Sequence, residues 1–378
     1  MDKQKVKNQR WIIKIGSSLV TKNGRGLNLT AIQTWASQIK TLHARGYHLA
    51  VVSSGSIAEG IYRLGWDERP DKLHHLQAAA AVGQIGLMQA YHSIFEEQGV
   101  GSAQILLTHE DLSHRLRYNN ARATLLSLFE IGIVPIINEN DTVATEEIQL
   151  GDNDTLAAQV ANLVDADVLL ILTDQAGLYD KDPIANEDAV VIKSKNAYDP
   201  ELDAIAGPSA SGLGRGGMIT KIKAARTAAW SGTSTIIVHG MEDNVIVRIA
   251  DGEKSGTYLE GTHQPIALRK RWIVNRKARG TLIIDNGAVW ALRQRQKSLL
   301  PIGVIDVEGD FGRGDMVLCK DTDGAIVAYG LSNYTAQEAR NTAGKNSQHI
   351  ERIMGSDHKP EIINRDNLTL EGTLEQSE

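Results

Sequence analysis

From residue 11 to residue 239, short apolar runs alternate with longer amphipathic stretches, and this rhythm restricts the fold more than any other feature of the chain. Trp11–Ile15, His48–Ser53, Ala103–Thr108, Ile133–Ile137, Val168–Thr173 and Thr235–His239 read as strands. Thr30–Arg45, Lys72–Gln98, Asp111–Glu130, Asp154–Leu163 and Met218–Ser231 read as helices, the first of them capped by Thr30. Strands that alternate with helices predict βαβ units: an α/β fold with a mostly parallel sheet sandwiched by helices. Ligands of such sheets bind at the carboxyl ends of the strands, so residues at those ends are the first candidates for chemistry.

After about residue 260 the rhythm changes. A basic segment with Arg269, Lys270, Arg271, Arg276, Lys277 and Arg279 precedes short β-type runs at Thr281–Ile284, Leu300–Val307, Met316–Lys320 and Ile326–Leu331. The expected organisation is an α/β domain at 8–260, a basic linker at 261–279, a small β-rich domain at 280–365 and a polar, acidic tail at 366–378. A chain of 378 residues is also too long for one core of ordinary size. The formal net charge of −6 argues against nucleic-acid affinity of the whole protein. Cys319 is the single cysteine, which excludes an intramolecular disulfide and a thiolate metal site. No signal-peptide core and no apolar run of about 20 residues is present, so a cytoplasmic protein is expected.

Six clusters fall at or near predicted strand ends. Lys14 precedes Gly16-Ser17-Ser18, a turn that could bring backbone amides and hydroxyls to an anion, or could be an ordinary surface turn. Ser53-Ser54-Gly55 has the same design and could equally be a plain helix cap. Asn138-Glu139-Asn140-Asp141 is either a site or an Asn/Asp turn. Gly151-Asp152-Asn153-Asp154 offers carboxylates that could bind an amino group, hold lysines or bind Mg2+ through water, while Asp154 could simply cap a helix. Thr173-Asp174 could meet a nucleotide or close a strand. The strongest element runs from Ser211 to Lys221. Four glycines within residues 212–217 lead through Arg215, Gly216, Gly217, Met218, Ile219 and Thr220 to Lys221, which would project from the first helical turn toward a triphosphate. The P-loop pattern GxxxxGK[ST] is absent, and this loop does not directly follow a strong strand as a dinucleotide fingerprint would.

Phosphoryl transfer requires this combination. Negative charge spreads over the equatorial oxygens in the transition state, and Lys14 and Lys221 can neutralise it from opposite sides. A carboxylate acceptor is already ionised at neutral pH and needs no general base, in keeping with the lack of an evident catalytic histidine.

The clusters at Lys14, Ser53–Gly55, Asn138–Asp141, Gly151–Asp154, Thr173-Asp174 and Gly216–Lys221, together with Ala80-Ala81-Val82-Gly83-Gln84, resemble the amino acid kinase superfamily over nearly the whole chain. Order and spacing are most similar to its glutamate-phosphorylating branch, which opens proline biosynthesis. The resemblance implies catalytic roles for Lys14, Lys221 and Asp154. It places ATP on Lys14, Gly16, Thr173, Asp174 and Arg215–Lys221, and glutamate on Ser54, Asp141 and Asn153 with Gly55 and Asp152 beside them. Arg215 departs from the pattern, since many members carry threonine there. ATP and Mg2+ are implied as cofactors, and no residue is assigned as a metal ligand. L-proline is implied as feedback inhibitor, with a homo-oligomer and glutamyl phosphate reductase as further partners. Gly280-Thr281-Leu282, Lys297–Pro301 and Gly309–Asp315 resemble a PUA domain, a small β-barrel. Its basic residues are read as a solvated face rather than an RNA-binding surface. The alternatives are a same-fold kinase acting on acetylglutamate, aspartate or UMP, and an RNA-binding protein that uses the PUA domain.

Overall fold

The computed structural model describes residues 9–22, 24–144, 153–183, 185–205, 217–261, 278–295, 297–345 and 360–370. The chain divides into two compact units, Met1–Pro265 and Ile266–Glu378.

In the first unit the strands are β1 (Arg10–Ile15), β2 (His48–Ser53), β3 (Gly101–Leu107), β4 (Ile133–Glu139), β5 (Val168–Thr173), β6 (Ser194–Asn196), β7 (Ser234–His239) and β8 (Thr257–Glu260). They form one sheet in the order β3-β4-β2-β1-β5-β7-β8-β6. All pairs from β3 to β7 are parallel, and β8 joins β7 antiparallel. The chain builds outward from β1 through β2 toward β4 and β3, then crosses back to place β5 on the other side of β1. Such a reversal opens a crevice at the carboxyl ends of the central strands.

The helices of this unit are α1 (Ser17–Val20), α2 (Leu29–Ala44), α3 (Ser56–Arg63), α4 (Leu73–Glu97), α5 (His109–Ser113), α6 (Arg115–Glu130), α7 (Asn153–Val164), α8 (Glu201–Ile205), α9 (Gly217–Ala229) and α10 (Val245–Ala250). Helix α7 is buried on nearly every side, so its N-terminus is fixed against the centre of the sheet. A core of Trp11, Ile13, Ile32, Trp35, Leu87, Phe95 and Val238 packs one face, and the Trp35 indole donates to the Gly240 carbonyl at 2.7 Å.

Several local expectations change. Asn28, not Thr30, caps α2, its side chain accepting from the Ala31 amide. The expected helix 111–130 is two helices broken at extended His114, because Thr108 and Asp111 form a capping box that starts the first one early. Helix α3 begins directly after Gly55, where the Ser53-Ser54-Gly55 cluster points to a helix start, although its eight residues are too few for a clear periodic signal that would fix its extent. Neither Ser53 nor Ser54 caps it. Its N-cap is Gly55, with φ of 107°, a left-handed conformation that disfavours any side chain.

The second unit holds α11 (Asn286–Arg295), α12 (Ala336–Thr342) and the strands β9 (Gly280–Ile284), β10 (Val304–Gly309), β11 (Met316–Lys320), β12 (Ile326–Leu331) and β13 (Leu368–Leu370). The strand order is β10-β9-β11-β12-β13, with β9 and β11 parallel and the other pairs antiparallel. The run expected as a strand from Leu300 begins as a 3₁₀ turn, Pro301–Gly303. Cys319 lies fully buried in this core, and burial pushes its thiol up to about 12, which makes it inert. Trp290 is half exposed, with the Arg295 guanidinium 4.6 Å above its ring. Trp66 is also partly exposed.

Candidate active site

The parallel register brings four strand ends together. Lys14 is aligned with Val52 of β2 and Ile171 of β5, near the carboxyl end of the central strand. The amide of Gly16 donates to the Leu172 carbonyl at 3.1 Å, tying the first turn to the end of β5. That amide is therefore engaged within the sheet rather than turned to a ligand. Thr173 ends β5 and Asp174 follows it, with the Thr173 hydroxyl donating to the Asp174 carboxylate at 3.2 Å.

The centre of the site is Asp154, in the first turn of α7 and 1% exposed. Lys14 Nζ lies 2.5 Å from its Oδ1, and Lys221 Nζ, from the first turn of α9, lies 3.2 Å from its Oδ2. Thr220 Oγ1 donates to the same Oδ2 at 3.3 Å, and Lys221 also donates to the Gly217 carbonyl at 3.0 Å. Burial pushes the Asp154 carboxyl up, but the charges and hydrogen bonds of Lys14 and Lys221 outweigh it and hold the group below the ordinary carboxylate range. Two ammonium groups against one carboxylate leave the cluster with one net positive charge in a dry setting. That excess suits a phosphoryl group.

One residue earlier, Asn153 turns the other way. Its amide donates to the Ser53 carbonyl and to Asn138 Oδ1, both at 2.8 Å. Asn138 in turn donates to Gln84 Oε1 at 2.7 Å. Ser53 Oγ lies 3.0 Å from the buried Tyr91 hydroxyl. These bonds lock the end of β2, the end of β4 and the start of α7 into one rim.

The rim borders a cavity of about 390 Å³ lined by Ser17, Ser18, Thr21, Ser54, Gly55, Ser56, Asn138, Glu139, Asp141, Asn153 and Arg69, among others. Ser56 donates to Asp141 Oδ2 at 2.8 Å. Burial raises the Asp141 carboxyl above its ordinary value; the Ser56 hydrogen bond and the charge of Arg69 oppose the shift without cancelling it.

Ser54, Gly55, Asp141 and Asn153 thus share one cavity, while Lys14, Lys221 and Asp154 form one charge cluster joined to it through the Asn153-Asp154 peptide. Gly217, Met218, Ile219 and Thr220 occupy the first turn of α9 beside that cluster. Asp152, Arg215 and Gly216 lie outside the described residues. Glu139 belongs to the candidate cluster at 138–141 and Gln84 to the 80–84 stretch, whereas Arg69 and the supporting Tyr91 carry no sequence signal as site residues. Arg69 sits in an irregular segment between α3 and α4, with no local pattern that marks it.

The amino acid kinase family matches residues 9–239, and the PUA domain matches residues 280–354. The chain belongs to the amino acid kinase family and carries a PUA domain. Glutamate 5-kinase from Thioalkalivibrio sulfidiphilus is 55% identical over 96% of this chain and 97% of the relative. Glutamate 5-kinases from Methylococcus capsulatus and Pseudomonas savastanoi pv. phaseolicola are each 54% identical over 96% of the chain and 97% and 99% of the relatives. Among solved structures, UMP kinase from Bacillus anthracis aligns with a TM-score of 0.48 at 15% identity, over 67% of this chain and 96% of that one. No helix among the described residues is long and apolar enough to cross a membrane.

Proposed function

We propose that the protein transfers the γ-phosphoryl group of ATP to the side-chain carboxylate of L-glutamate, giving L-glutamyl 5-phosphate and ADP, the first step of proline biosynthesis. The observation that carries this reading is the junction of two sites: a net-positive Lys14–Asp154–Lys221 cluster next to a cavity with the donors and acids an amino acid needs. The full-length likeness to glutamate 5-kinases supports glutamate as the acceptor.

The reaction follows from the geometry. A carboxylate oxygen of the glutamate side chain attacks the γ-phosphorus, a new O–P bond forms, and the bond to the bridging β,γ-oxygen breaks with its electron pair leaving on ADP. No proton moves at the acceptor, so the site needs no base. Lys14 and Lys221 offset the charge on the transferring and leaving oxygens. Asp154 is ionised and hydrogen-bonded to both ammonium groups, so its role is to hold them at fixed spacing. Thr173, Asp174 and the 215–221 segment, of which Arg215 and Gly216 lie outside the described residues, bind the nucleotide in this reading. Ser54, Asp141 and Asn153 hold glutamate, with Gly55 and Asp152 alongside.

Among the described residues no group of three or more His, Cys, Asp or Glu side chains is placed to hold a metal ion, and Asp154 already engages two ammonium groups. Mg2+ in this reading would enter with the nucleotide and would supply charge neutralisation there. Feedback inhibition by L-proline at the glutamate cavity, a homo-oligomer, association with glutamyl phosphate reductase and a cytoplasmic location complete the reading, with a kinase domain at 8–260 and a PUA domain at 280–365.

The test is an acceptor panel. Purified protein with Mg-ATP is assayed for ADP release, with hydroxylamine to trap acyl phosphate. L-glutamate is expected to give hydroxamate in proportion to ADP. Hydroxamate no higher than without an acceptor, or formed with acetylglutamate or aspartate instead, would overturn the assignment.

A further inference from the structure

The glutamate cavity must recognise three charged groups, and Ser54, Asp141 and Asn153 do not account for all of them. The side-chain carboxylate has to face the lysine cluster, which Asn153 adjoins through Asp154. The α-ammonium and α-carboxylate are then presented together at the opposite end, a positive and a negative charge on neighbouring atoms. Asp141 suits the ammonium. For the α-carboxylate, the cavity lining contains a single cation among the described residues, and that cation is Arg69.

Its placement supports the match. Arg69 reaches the cavity from the irregular segment between α3 and α4, near enough to Asp141 for its charge to act on that carboxyl. Among the described residues it forms no ion pair within 4 Å. Pro70 follows and biases Arg69 toward extended backbone, which limits the segment's freedom. A guanidinium offers paired N–H donors in the planar arrangement that a carboxylate accepts. An acid and a base lining one cavity match the zwitterionic end of an amino acid.

We propose that Arg69 is the specificity residue for the α-carboxylate of the acceptor, binding it in a salt bridge while Asp141 takes the α-ammonium. The proposal rests on the glutamate kinase reading, and it makes the cavity selective for α-amino acids over simple carboxylic acids.

The experiment compares wild type, Arg69→Gln and Arg69→Lys in the full chain, with two ligands that both keep the reacting carboxylate. L-glutamate carries the α-carboxylate; 4-aminobutyrate lacks only that group. Loss of a charge-assisted contact predicts a KM for L-glutamate about 10–100-fold higher in Arg69→Gln, with kcat within about threefold of wild type. Arg69→Lys restores part of the loss. The Ki of 4-aminobutyrate against L-glutamate stays within about threefold, because the missing contact was never available to it. An unchanged KM for L-glutamate overturns the proposal. So does an equal weakening of both ligands, which would mean that Arg69 acts only through Asp141 or the local fold. Melting temperatures of the three proteins check that folding is intact. Wild-type protein that fails to phosphorylate L-glutamate defeats the kinase reading itself, a result that the variants cannot mimic.

Discussion

Two ammonium groups share one buried carboxylate, and this arrangement sets the sharpest expectations for single residues. Lys221 lies near the start of α9 and contacts Asp154 and the Gly217 carbonyl, outside the lining of the proposed glutamate cavity. Lys221→Ala is therefore expected to lower kcat by roughly 10²–10³-fold while changing the KM for glutamate only a few-fold. Steady-state kinetics check this, and an effect confined to KM would contradict a transition-state role. Asp141 gives a pH prediction. Its carboxyl is raised by burial, so it takes up a proton at a pH where an ordinary aspartate is still ionised. As pH falls through that raised value, the acid that receives the substrate ammonium is lost, and kcat/KM for glutamate is expected to drop along an acid limb. Asp141→Asn should lower kcat/KM throughout and abolish the limb; a limb that persists unchanged in the variant would assign it to another group. The stability effect has the opposite sign. A folded-state value above the unfolded 3.8 means that protonated Asp141 favours the fold, a contribution present below pH 3.8 and lost as pH rises through the folded value.

Helices α3 and α4 pack at unusually close range, and that contact shapes the cavity. A methyl group built on Gly83 of α4 would lie 1.8 Å from the Ser56 carbonyl oxygen, and one on Gly60 of α3 would lie 1.7 Å from the Ala79 carbonyl. Both obstacles are backbone, so the helices would have to part. Ser56 lines the cavity and bonds Asp141, so any such movement reaches the proposed glutamate site directly. Gly83→Ala is expected to cost about 3 kcal/mol, a fall of roughly 6–12 °C in melting temperature, together with a higher KM for glutamate. Calorimetry and kinetics on the same sample check both, and a normal melting temperature would show that the crossing is looser than described. Gly83 stands within the Ala-Ala-Val-Gly-Gln stretch and Gly60 within α3, and neither local sequence reveals the close approach that requires a glycine. The closeness of α3 and α4 depends on a helix too short to be read from periodicity.

On the scale of the molecule, the division at residues 265 and 266 separates a parallel-sheet unit with its own core from a mixed-sheet unit with another. All described residues of the cluster and cavity belong to the first unit. A chain ending at Gly261 is expected to fold and to keep phosphorylating glutamate, with kcat within about tenfold of the full protein. Hydroxamate formation by the truncated chain checks this; a folded but inactive fragment would show that the PUA domain is required for catalysis.

Much of this was legible in the residue order. Apolar runs spaced by amphipathic helices dictate a parallel sheet, because only crossover connections join strands in that way, and a parallel sheet confines ligands to its carboxyl edge. Lys14, Ser54, Asn138, Asp141, Asn153, Asp154, Thr173 and Lys221 could be nominated because each lies at or just beyond a strand end or at a helix start. The order of residues could not say which candidates meet. Asp154 might have been a helix cap, and becomes the partner of Lys14 and Lys221 only because α7 is clamped against the central strands while α9 packs beside it. Ser54 might have been a cap, and Gly55 holds that position instead. Arg69 carried no local signal at all. Its place in the cavity that Asp141 also lines depends on the path of an irregular segment between two helices, which packing decides and periodicity does not encode.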